Sequence, residues 1–268
     1  MSDWKQYNGG RRWRVLASGQ VEVERQGVIT SGGRPLTARA FLLEFGDAVH
    51  EASRMFDIPV PWIIGMAAIE AIRLKKEPKG LSWASDKVKA FLEVALSDRA
   101  WRKLVRLGYD PRGSLNQYRM DPVSLRYEDG FVGPEDTPGR VSAGLMQTLL
   151  TTAREMAHDN PKIRPLDTDG KGRQVQLGDL LDPRLSILYG TAYMRDRCIN
   201  DAELRKLGPD FVGLTGSYNA GKLRPVPTKD NPFGIQTYSP DRTEKGIRYH
   251  NDCWLPGAIE LIEPWALT

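Results

Sequence analysis

The sequence predicts a mainly α-helical fold of the α+β class with a small β element at its N-terminus. Apolar residues recur every three or four positions over residues 37–56, and an almost unbroken apolar run follows over residues 59–74. Apolar and polar residues instead alternate over residues 11–35, which is typical of short strands. A chain of 268 residues with 40% hydrophobic content can bury its own core. We therefore expect an N-terminal β-hairpin or extension over residues 1–35 and one helical domain over residues 36–268.

Helix start and stop signals place the other elements along the chain. Ser142 and the Asp182-Pro183 pair each predict an N-cap, and Gly221 predicts the end of a helix. Residues 108–141 lose periodicity, and a long irregular loop inside a domain is usually functional. The predicted helices cover residues 37–56, 59–74, 85–107, 142–157, 182–198 and 209–220, with a short helical piece between residues 243 and 253.

Glu70 is a carboxylate in the middle of the apolar run. An isolated ionised carboxylate is costly to bury, so Glu70 must find a partner, line a cleft, or have its pKa raised by desolvation. A cleft position or a raised pKa is typical of a general acid. A buried glutamate paired with one of the many arginines would instead be a structural feature. The helix alone leaves both interpretations open.

Positive charge is concentrated in the middle of the chain. Residues 73–119 hold twelve lysines and arginines against five aspartates and glutamates, within a chain of formal net charge +4. A basic surface favours an anionic partner, and the alternative is a solvated helix face. We expect no nucleic-acid partner, because no recognition motif accompanies the charge.

Several classes of site and location are disfavoured by composition. Cys198 and Cys253 could form a disulfide, but their spacing does not demand it. The three histidines lack the spacing of a zinc pair, so no metal site is expected. No apolar run reaches the ~20 residues of a membrane span. The N-terminus has no apolar signal core, so we expect synthesis in the cytoplasm without a signal peptide.

Three segments together carry a family resemblance. They are the Glu70 helix, the Ser142 to Gln147 segment (SAGLMQ) and the Gly216 to Gly221 segment (GSYNAG), with a helix that begins Leu-Asp-Pro and contains Tyr189-Gly190 between the last two. In this order, over about residues 58–221, the chain resembles the lytic transglycosylase family of the goose-type lysozyme-like fold. The resemblance implies a lysozyme-like helical domain that cleaves the β-1,4 bond between N-acetylmuramic acid and N-acetylglucosamine in peptidoglycan. It implies 1,6-anhydro-muramic ends and no cofactor.

The resemblance also implies residue roles. Glu70 matches the single catalytic acid/base, and Tyr218 and Asn219 match a pair that faces the catalytic carboxyl and the substrate. The residues that match the lining of the sugar cleft are Ser142, Met146 and Gln147. Four of these residues also have an ordinary structural interpretation. Met146 would be part of the core, Tyr218 a packed aromatic, Gln147 a surface amide and Asn219 a helix-end cap.

The sequence departs from the family pattern at two points. Ala71 stands where Ser or Thr usually follows the catalytic glutamate, and Gly144 follows Glu70 by 74 residues, a longer interval than usual. We interpret residues 75–118 as a basic helical insertion suited to anionic cell-envelope polymers or virion proteins. Glu128, in the loop before the second motif, is the rival acid and could also be the second carboxylate that a muramidase needs.

The way in which the protein would reach the cell wall indicates its biological setting. A protein without a signal peptide that acts on the cell wall suggests a bacteriophage enzyme, either an endolysin released after synthesis or a virion component. Peptidoglycan glycan strands are the expected partner. The competing class is a lysozyme-fold module that binds peptidoglycan, or serves a structural role in the virion, without catalysis.

Overall fold

A computed structural model describes residues 3–32, 38–71 and 142–262. The chain divides into two compact units, one formed by residues 1–72 and 191–268 and the other by residues 73–190. The helix predicted over residues 85–107, the loop over 108–141, the basic insertion at 75–118 and Glu128 lie outside the described residues. The domain boundary predicted at residue 35 stays a prediction.

The described residues form seven α-helices and five short strands. The strands are β1 (Trp13–Val15), β2 (Val21–Val23), β3 (Gly27–Val28), β4 (Ser142–Ala143) and β5 (Thr148–Leu149). The helices are α1 (Ala38–Phe56), α2 (Val60–Ala71), α3 (Leu150–Asp159), α4 (Pro183–Asn200), α5 (Ala202–Leu207), α6 (Phe211–Ala220) and α7 (Arg242–Asn251). This composition confirms the mainly α, α+β class, and the finer lysozyme-like prediction stays a prediction.

The N-terminal strands of the first unit form an antiparallel sheet in the order β1, β2, β3. Trp13, Val21 and Val23 have no exposed surface, as the alternating pattern predicts for one face of such a sheet. Asn251 of α7 fastens the sheet, because its side chain accepts from the Val21 backbone N–H at 2.9 Å and donates to the Val21 carbonyl at 2.8 Å. Trp13 Nε1 also donates to Asp210 Oδ2 at 3.0 Å. The small sheet is thus tied to the helices of its own unit.

The core of the first unit is built around α2, which packs mainly on α7. Its side chains from Ile63 to Ile69 are buried, as expected for a helix that is apolar all round. Glycines set the close approach: a Cβ on Gly65 would lie 2.6 Å from the Phe211 ring, and one on Gly246 would lie 2.5 Å from Ile69 Cδ1. Larger residues at either glycine would push the helices apart.

Most other helix predictions for the described residues are confirmed. Asp182 caps α4 by accepting from the Leu185 N–H at 2.9 Å, and Gly221 ends α6 in the left-handed conformation, with φ +76°. The predicted helices do not include α5, a six-residue helix capped by Asp201. Cys198 and Cys253 are both free thiols. Within the three described ranges, no helix is both long and apolar enough to cross a bilayer.

In the second unit, the predicted helix over residues 142–157 is wrong in its first half. Ser142–Ala143 and Thr148–Leu149 pair as antiparallel strands, and the helix begins only at Leu150. The reason is the turn between the strands, where Gly144 has φ +80° and Gln147 has φ +45°. Left-handed residues cannot continue a right-handed helix. Ser142 therefore starts a tight hairpin and caps no helix.

Candidate functional site

Glu70 lies near the C-terminal end of α2, and its side chain is 11% exposed. The neighbouring Ala68 and Ile69 are buried. The Glu70 carboxylate forms an ion pair with Arg242 at the start of α7, through Oε1 and Nη2. A buried Glu70 needs a partner, a position in a cleft or a raised pKa, and the structure shows a partner.

Arg242 is itself a buried cation. Its side chain is 11% exposed, and burial lowers its pKa to about 10, so the guanidinium keeps its charge at neutral pH. Within the described residues, its Nε has no hydrogen-bond partner. A guanidinium in contact with a carboxylate stabilises the ionised form of that carboxylate. The pair therefore favours a negatively charged Glu70.

A second cation of α7 lies at the same end of α2. Lys245 Nζ donates to the Ile69 carbonyl at 3.3 Å. Carbonyls at a helix C-terminus carry partial negative charge, so a nearby cation is favourable there. Together, Arg242 and Lys245 make the surroundings of Glu70 electropositive. Such surroundings suit a carboxylate better than a neutral carboxylic acid.

Tyr218 and Asn219 lie at the end of α6, in the same unit as Glu70. Tyr218 is 7% exposed and packs edge-to-face on Tyr193, with ring centroids 5.2 Å apart. Asn219 is half-buried, and its Oδ1 accepts from the Tyr238 backbone N–H at 2.8 Å. The Asn219 amide therefore holds the backbone of the segment that leads into α7.

A buried aspartate anchors the segment that carries this pair. Asp201 Oδ2 accepts from Ser217 Oγ and from the Leu223 backbone N–H, each at 2.5 Å. Burial by itself would raise the pKa of Asp201, but these bonds and those from the N–H groups that it caps bring it below its usual value. Because Ser217 immediately precedes Tyr218, the carboxylate fixes the C-terminal turn of α6.

The second unit holds the other three predicted site residues, in or next to the β4–β5 turn. Ser142 Oγ donates to Gln147 Oε1 at 3.3 Å, and Gln147 Nε2 donates to the Gly144 carbonyl at 2.9 Å. The Gln147 amide is thus folded back onto its own turn. Ser142 and Gln147 are brought together, as neighbours in one polar cluster.

Met146 is the buried part of the same turn. It has no exposed surface, and its backbone N–H donates to Ser186 Oγ at 3.2 Å. A Cβ on Gly190 would lie 2.5 Å from Met146 Cβ, so Gly190 makes room for this side chain. The turn therefore packs closely against the part of α4 that contains Gly190. In this conformation Met146 is core, and its role in lining the sugar cleft stays a prediction.

An arginine partner for Glu70 is one of the alternatives that the sequence leaves open, but the sequence does not single out Arg242. A signal for it exists, because Gly246 follows Arg242 by four residues and marks the face of α7 that approaches α2 closely. Asp201 and Ser186 were also missed as residues that hold the motifs. Among the described residues, no group of three or more His, Cys, Asp or Glu side chains could hold a metal ion.

Comparison of the chain with protein-family models, with curated proteins and with solved structures gives no match in any of the three.

Proposed function

We propose that this chain is a lytic transglycosylase that cleaves the β-1,4 bond between N-acetylmuramic acid and N-acetylglucosamine in peptidoglycan, with Glu70 as the acid and then the base. The observation that carries the proposal is a single carboxylate, 11% exposed, on a helix that is otherwise apolar and that is buried from Ile63 to Ile69. Along the chain, Glu70 comes first in the series of three motifs, followed by SAGLMQ and then GSYNAG. A carboxylate in such a setting is a functional candidate.

The reaction needs two proton transfers through Glu70. Its carboxylic acid first donates a proton to the glycosidic oxygen as the bond to the anomeric carbon breaks. The resulting carboxylate then accepts the proton of the 6-hydroxyl of the muramic acid residue, whose oxygen attacks the anomeric carbon. The products are a 1,6-anhydro sugar and a free hydroxyl, with no water consumed and Glu70 protonated again.

Arg242 acts on this cycle through Glu70 and is a positioning residue. Its guanidinium stabilises the carboxylate that exists between the two transfers, and it disfavours the acid needed for the first. Turnover therefore requires the ion pair to loosen when the acid form is needed. Arg242 also fixes the orientation of the carboxyl in the free protein.

A second candidate function is favoured by the same ion pair. A buried glutamate satisfied by an arginine is a common structural feature, and Ala71 replaces the hydroxyl residue that usually follows the catalytic glutamate. Under this alternative the chain binds peptidoglycan, or serves as a virion part, without cleaving glycan strands. A muramidase is a further form of the enzymatic proposal, with Glu128 as a candidate second carboxylate.

Clearing of purified cell walls separates the enzyme from the binding module. We expect the native protein to lower the turbidity of a wall suspension and Glu70→Gln to leave it unchanged while still sedimenting with the walls. Glu44→Gln is the matched control, because it removes an exposed carboxylate from α1 and should clear walls at the native rate. Sedimentation of the native protein without clearing would overturn the enzymatic proposal.

A further inference from the structure

The second unit contains a cavity of about 350 Å³, and four of the eight residues that line it are arginine or histidine. Arg154 and His158 project from α3, and Arg164 and Arg173 come from the segment that follows. Ala157 and Val175 are the apolar side chains of the lining, and both are almost fully buried. No aspartate or glutamate is present among the described residues that line the cavity.

A short hairpin shapes the cavity wall. Leu166 and Gly172 form an antiparallel bridge, and the Arg173 N–H donates to the Pro165 carbonyl at 2.9 Å. A Cβ on Gly172 would lie only 2.6 Å from Arg164 Cδ. The absence of a side chain at Gly172 therefore lets Arg164 lie across the hairpin and into the cavity lining.

The three arginines differ in how their charge is compensated. Arg173 makes two hydrogen bonds to the Asp179 carboxylate, at 2.6 and 2.7 Å, so its charge is already neutralised. Arg154 Nε donates to the Val175 carbonyl at 2.9 Å, which orients the guanidinium but does not neutralise its charge. Within residues 142–190, no carboxylate pairs with Arg154 or Arg164. Two guanidinium groups that have no carboxylate partner among residues 142–190 thus share one cavity.

We propose that this cavity binds a short peptide with a free carboxylate and a methyl side chain, the chemistry of an alanyl terminus in a peptidoglycan stem peptide. This inference rests on the proposed function for its choice of substrate. Arg154 and Arg164 bind the carboxylate through guanidinium hydrogen bonds. Ala157 and Val175 contact the methyl group. The volume of about 350 Å³ lies at the low end for small-ligand pockets and suits a dipeptide better than a lone inorganic anion.

Calorimetric titration of the full chain tests this site. The probe is N-acetyl-D-alanyl-D-alanine, compared with its C-terminal amide and with inorganic phosphate. We expect the free carboxylate to bind, and the amide to bind at least about tenfold more weakly because it lacks the charge. Arg164→Gln should weaken the peptide by about tenfold or more for the same reason. Lys162→Gln, which removes an exposed charge outside the cavity lining, should bind the peptide as the native chain does.

Other outcomes would overturn the inference. Equal binding of acid and amide, unchanged binding by Arg164→Gln, or no binding of the peptide would each exclude the peptide site. Phosphate that binds as tightly as the peptide would show a general anion site. Arg154→Lys keeps the charge and loses the forked donor, so native-like binding by this variant would exclude the proposed guanidinium contact.

The wall-clearing assay distinguishes a failure of this inference from a failure of the proposed function. Peptide binding by a protein that clears no walls would support the cavity site and exclude the enzyme. Clearing without peptide binding would exclude the cavity site alone.

Discussion

The turn that carries the SAGLMQ motif should be sensitive to replacement of Gly144 by alanine. Gly144 has φ +80°, and an added Cβ would lie 1.8 Å from the Leu180 carbonyl oxygen and 2.4 Å from Ser186 Oγ. The left-handed conformation costs an alanine about 1–2 kcal/mol. Forcing atoms into the occupied space adds about 1–3 kcal/mol, since a backbone carbonyl cannot rotate away. We expect Gly144→Ala to destabilise the turn by about 2–5 kcal/mol.

Two other glycines of the second unit separate these contributions. Gly170 has φ +75° but nothing within 4 Å of an added Cβ, so Gly170→Ala should cost only the conformational part, about 1–2 kcal/mol. Gly178 has neither a positive φ nor a neighbour within 4 Å, so Gly178→Ala should cost close to nothing.

Hydrogen exchange read by mass spectrometry over residues 142–190 measures these differences locally. For Gly144→Ala we expect amides of the turn to exchange about 30-fold faster or more, the equivalent of at least about 2 kcal/mol. If Gly144→Ala and Gly170→Ala changed exchange equally, the close approach of the turn to Leu180 would be refuted.

Two further predictions concern buried titratable side chains of the first unit. Arg242→Met breaks the ion pair with Glu70, so we expect the free energy of unfolding, measured by thermal denaturation, to fall by about 3–5 kcal/mol. The double variant with Glu70→Gln should lose less than the two single losses together. Burial lowers the pKa of His250 to about 4 from 6.5. As the pH falls, the His250 imidazole of the unfolded chain is therefore protonated before that of the folded chain. The contribution of the neutral imidazole to the free energy of unfolding is complete above pH 6.5, and the free energy should fall by about 3 kcal/mol as the pH drops to 4.

Each of these predictions has a result that contradicts it. Additive losses in the Glu70 and Arg242 variants would mean that the two side chains do not interact. For His250, the comparison is His250→Phe, since the imidazole stacks on the Phe211 ring at 4.7 Å and a benzyl group suits the same space. Urea titrations of both proteins at each pH supply the free energies. An identical fall in the variant would exclude His250 as its source.

Helices whose signals are local could be predicted from the sequence. The apolar periodicity of α1 and the cap at Asp182 each act within one or two turns, and both were found. The helix predicted from Ser142 was wrong because Gly144 and Gln147 adopt the left-handed conformation, in a turn that packs closely against the Leu180 carbonyl, which is distant in sequence. The six-residue α5 was missed because it is too short to show a helical period.

At the candidate site, too, features set by neighbouring residues could be predicted, and features set by residues distant in sequence could not. Burial of Glu70 and its need for a partner follow from the composition of α2. The partner itself could not be chosen from the sequence, because Arg242 is 172 positions away and the chain has many arginines. Likewise, the burial of Met146 in the β4–β5 turn depends on close approach to Gly190, which lies on α4.

Mass spectrometry of the soluble fragments released from purified peptidoglycan tests the central claim most directly. The native protein and Glu44→Gln should release anhydro-ended fragments, lighter by one water than reducing-end products, and Glu70→Gln should release none. Reducing-end products from the native protein, or anhydro-ended fragments that persist with Glu70→Gln, would contradict a lytic transglycosylase that uses Glu70 as its acid and base.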